Sequence, residues 1–358
     1  MPTSPLVSIC LPTWNSRAFL EQRVDSILQQ TYTNWELIVC DSFSDDGTWE
    51  YFQQYREDPR VRLYQIPKDG LFAGWNQTLS RVTGRYFYIA TSDDTMHPDF
   101  LQTMVPLLSL DPDVRVATCN FSFINERDEV IAPTQGIPSN IYGDQMQVWH
   151  RRPGAMDFLV HTMLGTSWTT ITSALFDSSL LTDVGLFRID GDSYSDRFWA
   201  MTVALYSDLI HCPEQLATWR IHDSQSSSAE AKDWRFRNLA LTRTTLRNHW
   251  SRIIQILGES PQLESKLLHG MRRYYEETFS LDRMALRKKP HSFLNGCVRA
   301  LCQEPEYALR RLRSGFAWER SVESEVQQLF KEFNLEIVCP YHINAKVCPI
   351  EPAEPTLD

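Results

Sequence analysis

Between Val7 and Asp94 the chain alternates short β-prone runs with segments of helical period, and no other feature restricts its folds as strongly. The run "LVSICLP" is followed by "SRAFLEQRVDSILQQT", which puts Leu20, Val24, Ile27 and Leu28 on one helical face and places Ser16 as a candidate N-cap. "WELIVCDSF", "VRLYQIP" and "RYFYIATSDD" are strand-like, separated by the helical "DDGTWEYFQQYR" and "LFAGWNQTLSRV". Strands and helices at this spacing predict βαβ units with right-handed crossovers and a largely parallel sheet. Ligands of such sheets sit beyond the carboxyl ends of the strands.

That edge is where the carboxylates collect. Asp41 ends the second strand, and Asp93 and Asp94 end the fourth, inside "YFYIATSDDTMHPDF". A single strand-end aspartate is more often a turn former or helix cap than a ligand. Three at corresponding ends of successive units point to a site. The pattern continues through "HPDFLQTMVPLLSLDP" and "VRVATCNFSFI", and "NERDEVIAPTQGIPSNIYGD" reads as a surface excursion.

The expected organisation is a principal α/β domain over residues 1–225, a helical accessory region over 226–335, and a Pro-rich acidic tail over 336–358. "SQSSSAEAKDW" marks the first boundary. Residues 268–320 hold 11 Lys+Arg against 6 Asp+Glu, with "LRKKPHSF" and "LRRLRSGFAW" interleaving basic and aromatic residues. Solvated helix faces are the ordinary source of such a pattern, and peripheral contact with an anionic membrane is the functional one.

The formal net charge of -10 argues against a nucleic-acid binder, which needs a basic face. An anionic ligand would need local compensation, such as a metal ion. No apolar run approaches the ~18 residues of a transmembrane helix, and the N-terminus lacks the basic region of a signal peptide, so the expectation is a cytoplasmic protein. The eight cysteines form no C-x-x-C pair and read as reduced thiols.

"VSICLPTWNSRAFLEQRVDSILQQTYTNWELIVCDSFSDDGT", "GLFAGWNQTLSRVTGRYFYIATSDD", "VGLFRIDGDSYSDRFWAM" and "ATWRIH" resemble, in that order, the motifs of family 2 glycosyltransferases, over about residues 5–225. The resemblance implies a GT-A fold, a Rossmann-like and mostly parallel sheet with flanking helices, here with the C-terminal helical region added. It further implies inverting transfer of a sugar from a nucleoside diphosphate donor of the UDP, GDP or dTDP type. The acceptor would be a hydroxyl of a glycan or lipid-linked glycan, and Mn²⁺ or Mg²⁺ would assist.

By the same resemblance, Asp94 is the direct metal ligand, and His222 contacts the metal or diphosphate with Arg220 as a phosphate partner. Asp93 lies near the ribose or donor sugar, and Asp41 accepts a hydrogen bond from the nucleobase. Pro12, Thr13 and Trp14 line the base pocket; Asp69 lies beside the nucleotide, and Asn76 supports the donor. Asp196 is the general base that takes the proton from the acceptor hydroxyl. As the first carboxylate of a helix it could equally serve that helix end. Thr91 stands where the family's acidic motif has one more aspartate, and Ser195 where an acid often precedes the base. These two departures are the support for an alternative, a catalytically silent nucleotide- or glycan-binding scaffold. A nucleotidyltransferase on a similar sheet would need a Gly-rich basic phosphate loop near the N-terminus, which is missing.

Overall fold

A computed structural model describes residues 4–133, 137–168, 170–190, 195–223, 234–260, 262–270, 290–303, 309, 312–313 and 322–338. The first unit runs β1 (Val7–Thr13), α1 (Arg17–Leu28), β2 (Trp35–Asp41), α2 (Thr48–Phe52), β3 (Val61–Gln65), α3 (Leu71–Leu79), β4 (Tyr86–Ile89) and α4 (Phe100–Leu107). It continues with β5 (Val114–Ile124), β6 (Val130–Pro133), α5 (Ile137–Tyr142), β7 (His150–Arg152) and α6 (Gly154–Leu164). Then come β8 (Ala174–Asp177), α7 (Leu180–Val184), α8 (Ser195–Val203), β9 (Asp208–Arg220), α9 (Trp234–Asn248), α10 (Trp250–Leu257), α11 (Pro290–Gln303) and α12 (Val322–Glu332).

The strands form one sheet in the order β3-β2-β1-β4-β8-β5-β9-β7, with β6 added beside β5. β3, β2, β1 and β4 are mutually parallel, as the alternation predicts. β8 enters antiparallel between β4 and β5, while β9 runs parallel to β5. The chain leaves β1 toward β2 and β3 and returns on its other side at β4, so the carboxyl ends of β1 and β4 flank the point where strand order reverses. Open α/β sheets bind ligands in that crevice.

Period-two burial divides the strands between two helical layers. Val7, Ile9, Leu11, Tyr86, Tyr88 and Ala90 face a layer built with Leu20, Val24 and Ile27 of α1 and with α4. Cys10, Phe87 and Ile89 face the opposite layer, with α3 and Trp199 of α8. A third core joins α6 to Leu246, Ile253 and Leu257 of α9 and α10, and to Val326 and Leu329 of α12. α9, α10 and α12 thus share a core with α6 and α8. Val338 exchanges backbone hydrogen bonds with Arg151 of β7 at 3.1 and 2.9 Å, which attaches the start of the expected tail to the sheet edge.

Gly84 is required where the chain turns into β4. A Cβ there would sit 2.6 Å from the Leu6 carbonyl oxygen and 2.8 Å from the Ser8 nitrogen. Ser16 does not cap α1 through its side chain. Instead Asp46, from the loop after β2, accepts from the Arg17 backbone N–H at 3.0 Å, so tertiary packing supplies the cap. Among the described residues no helix is long and apolar enough to cross a membrane. The "SQSSS" boundary and much of the basic stretch lie outside the described residues.

Candidate functional site

β4 delivers Thr91–Asp94 to the sheet edge, and the next residues are stitched to the end of β9. Thr95 and Thr218 are joined by a backbone bond of 3.0 Å and by the Thr95 N–H donating to the Thr218 hydroxyl at 2.8 Å. His97 N–H donates to the Leu216 carbonyl at 2.8 Å. β9 reaches this position because its pairing with β5 slips between Cys212 and Gln215, where Pro213 cannot donate to the ladder. Asn120 holds that irregularity by donating to the Pro213 carbonyl at 2.8 Å. The result places His222, just beyond β9, with Nε2 at 3.1 Å from Asp93 Oδ2.

The two adjacent aspartates have opposite environments. Asp93 keeps about a quarter of its side chain in solvent and faces His222. Asp94, expected as the direct metal ligand, is 3% exposed and turned into protein. Its Oδ1 accepts from the Arg220 backbone N–H at 2.8 Å and its Oδ2 from the Thr91 hydroxyl at 2.7 Å. Burial, and after it the charge of Asp93, push its carboxyl up to about 7. Thr91 is therefore a donor to Asp94.

Arg220, expected at the diphosphate, is fully buried. Its guanidinium donates to the carbonyls of Asp93 and Asn125, both at 2.7 Å, and to Asp128 at 2.5 Å. It clamps the acidic loop from behind. Phe19 of α1 completes the wall, with its ring 4.8 Å from that of His222 and 4.7 Å beneath the Arg220 guanidinium.

At the end of β2, Asp41 is fully buried. Its Oδ1 accepts from the Thr13 hydroxyl at 3.0 Å and the Ser44 hydroxyl at 2.6 Å, and its Oδ2 from the Ser44 N–H at 2.9 Å. A carboxylate offers about four lone-pair sites, so one further bond is chemically open to it. Thr13 is buried against Asp41, Pro12 is partly exposed, and Trp14 stands half in solvent. The Lys68 ammonium lies 3.2 Å from the Trp14 ring centroid, a cation–π contact that no motif announced. Asp69 follows, exposed, ahead of Gly70 at φ 101° and the start of α3. Phe43, beside Asp41, is exposed and held at φ 50°, a left-handed backbone that costs a bulky residue energy.

Asn76, expected to support the donor, is committed elsewhere. Its Nδ2 donates to the Phe187 carbonyl at 2.8 Å and its Oδ1 accepts from the Phe187 N–H at 2.9 Å. This fixes the segment that leads toward α8. Trp199 of α8 donates to the Gly185 carbonyl at 2.9 Å and packs against Phe176 and Phe187, ring centroids 5.1 and 4.9 Å away.

Asp196 opens α8 and keeps part of its surface in solvent. The surrounding protein still excludes enough water to push its carboxyl up to about 6, against the Arg197 N–H that donates to Oδ1 at 2.8 Å. Behind it the Arg197 guanidinium donates to the His161 carbonyl at 3.1 and 3.0 Å. Among the described residues the buried Ser195 hydroxyl has no hydrogen-bond partner.

His161 and His211 are buried in a polar network around β7, α6 and β9. There Arg152 donates to Asp157 at 3.2 Å and lies 2.8 Å from His150 Nε2.

Among the described residues no group of three or more His, Cys, Asp or Glu is arranged to hold a metal ion. The Asp93–His222 pair nevertheless fits a divalent cation that draws its remaining oxygen ligands from a substrate phosphate and water, the usual habit of Mg²⁺ beside nucleotides.

A Bacillus subtilis (strain 168) protein provisionally named teichuronic acid biosynthesis glycosyltransferase TuaG is 34% identical over 121 residues, 33% of this chain and 46% of that protein. The chondroitin synthase of Pasteurella multocida (strain Pm70) is 35% identical over 99 residues, 27% of this chain and 10% of that protein. The chain thus matches less than half the length of these curated relatives. The crystal structure of S. aureus TarS 1-349 in complex with UDP-GlcNAc has a TM-score of 0.61 at 14% identity, covering 92% of this chain and 91% of that one, and shows the GT-A fold. Residues 8–167 match the sequence model of Glycosyl transferase family 2, so that part of the chain is similar to that family.

Proposed function

We propose that the chain is an inverting glycosyltransferase working on a nucleoside diphosphate sugar, of the UDP, GDP or dTDP type, in the cytoplasm. It passes the sugar to a hydroxyl of a glycan or lipid-linked glycan. The observation that carries the reading is the 3.1 Å approach of Asp93 to His222 at the strand-order reversal, built by the stitching of residues 95–97 to 216–218. These two residues, with Asp94 as their internal brace, would hold Mn²⁺ or Mg²⁺. The ion, when bound, supplies positive charge against the leaving diphosphate.

The residues of the chain do the rest. Trp14, with Lys68 over its ring, walls the base pocket, and Asp41 offers its remaining acceptor site there. Asp196 accepts the proton of the acceptor hydroxyl as that oxygen attacks the anomeric carbon and the bond to the diphosphate breaks, a single displacement that inverts the centre. A carboxyl near 6 is mostly ionised at neutral pH yet more basic than an ordinary aspartate, which suits a general base.

A thermal-shift panel of UDP, GDP, dTDP and CDP, each with Mn²⁺, Mg²⁺ or EDTA, tests the donor site. A ligand at a hundred times its Kd adds ~2.7 kcal/mol, about 3 °C for a chain of this size. The expected result is one nucleotide that stabilises only with metal, with the effect lost in Asp93→Ala and His222→Ala. A panel with no shift under any condition favours the silent scaffold.

A further inference from the structure

We propose, on the donor reading given above, that Phe43 stacks on the nucleobase as a second aromatic wall opposite Trp14. Thr13 and Asp41 are paired at the ends of β1 and β2, and the two segments stay joined beyond them. The Ser42 N–H donates to the Thr13 carbonyl at 2.9 Å, and the Asn15 N–H donates to the Ser44 hydroxyl at 2.9 Å. Trp14 lies between these two bonds on one segment and Phe43 lies between them on the other. The two aromatic residues therefore stand across from one another just past the buried Asp41 carboxylate. Both are open to solvent, Trp14 at 50% and Phe43 at 60% exposure.

The turn that carries Phe43 is built around the same carboxylate, which accepts from the Ser44 N–H at 2.9 Å and from the Ser44 hydroxyl at 2.6 Å. At φ 50° Phe43 occupies a backbone region that suits glycine and costs a bulky residue energy. A ring left in solvent recovers little of that cost through burial, and strain kept without such a return points to a role in binding. Trp14 cannot hold a base from both sides, because the Lys68 ammonium covers one face of its ring at 3.2 Å from the centroid. A base whose imide N–H reaches the open acceptor site of Asp41 passes the tip of this turn, where Phe43 offers a flat apolar surface. Stacking tolerates every base, so Phe43 sets affinity while Asp41 reads the imide.

The test is titration of the full chain with UDP, GDP or dTDP and Mn²⁺, with pyrophosphate and Mn²⁺ as the probe that lacks a base. Phe43→Gly relieves the backbone and should keep the wild-type Tm or exceed it. Its Kd for the nucleotide that binds the wild type should rise about tenfold, the loss expected of one base–aromatic stack, with the Kd for pyrophosphate unchanged. Phe43→Tyr keeps the ring and should bind the nucleotide as the wild type does. A nucleotide Kd unchanged in Phe43→Gly overturns the proposal and leaves the donor site standing. So does a rise that pyrophosphate shares, which would make Phe43 a brace of its loop, or a Phe43→Tyr variant as weak as Phe43→Gly. A wild type that binds none of the nucleotides overturns the donor site and the stacking role together.

Discussion

Asp196→Asn separates a catalytic carboxylate from a helix cap, because the two roles predict opposite changes in stability. The protein raises this carboxyl from 3.8 to about 6, chiefly by desolvation. The charged form is therefore penalised in the folded state. The penalty is absent below 3.8, grows as pH rises to 6, and stays constant above. Full transfer of that difference would be ~3 kcal/mol; because Asp196 keeps contact with water, about 1–2 kcal/mol is the better figure. Asparagine retains the acceptor for the Arg197 N–H and removes the charge, so the variant should melt about 1–3 °C higher at pH 8 and unchanged near pH 4. Turnover should fall about 10²–10⁴-fold, and the wild type should lose activity below pH 6 as the base protonates. Differential scanning fluorimetry at the two pH values and a donor-consumption assay read both effects. If the variant melts lower at pH 8 and keeps its turnover, Asp196 is a helix-end carboxylate contributing ~0.3–1 kcal/mol and the catalytic assignment fails.

Three further outcomes follow from other parts of the fold. Asn76→Ala removes two hydrogen bonds to Phe187 and should lower turnover more than nucleotide binding, read by comparing rates with thermal shifts; equal losses would place Asn76 at the donor. Burial lowers His161 to about 3 and His150 to about 4, so the fold holds them neutral; their stability is intact above 6.5 and is lost as pH falls toward those values, at up to ~1.4 kcal/mol per pH unit for each. Urea unfolding at pH 7 and 5 should show that loss, and His161→Gln should lessen it. Gly84→Ala should cost more than about 2 kcal/mol in urea unfolding, because its methyl group meets backbone atoms of Leu6 and Ser8 that cannot yield.

The sheet was legible because its signals are local. Each parallel strand is a short apolar run whose alternate residues fill two cores, and the helices between carry their apolar faces at the matching period. Ser16 shows where local reading stops: the serine was well placed to cap α1, but Asp46, some thirty residues on, reaches the helix start instead.

The sequence names candidate site residues without saying how each one faces, and the physical reason lies in β9. A motif states that Asp93, Asp94, Arg220 and His222 matter; it does not say which way each side chain faces. That is decided by the slip at Pro213, which bends the strand until residues 216–218 take up the acidic loop. Once Thr95 and His97 are tied down, successive residues point to opposite sides. Asp93 is left toward His222, while Asp94 turns inward to Thr91 and the Arg220 N–H. Arg220 alternates with its neighbours in the same way, so its guanidinium goes behind the loop. One partly exposed carboxylate, one imidazole and a hydrogen-bonded arginine make the rim of the proposed cation site. Thr91, standing where the resembled motif has one more aspartate, fits this arrangement, since a hydroxyl is the donor that a buried Asp94 requires.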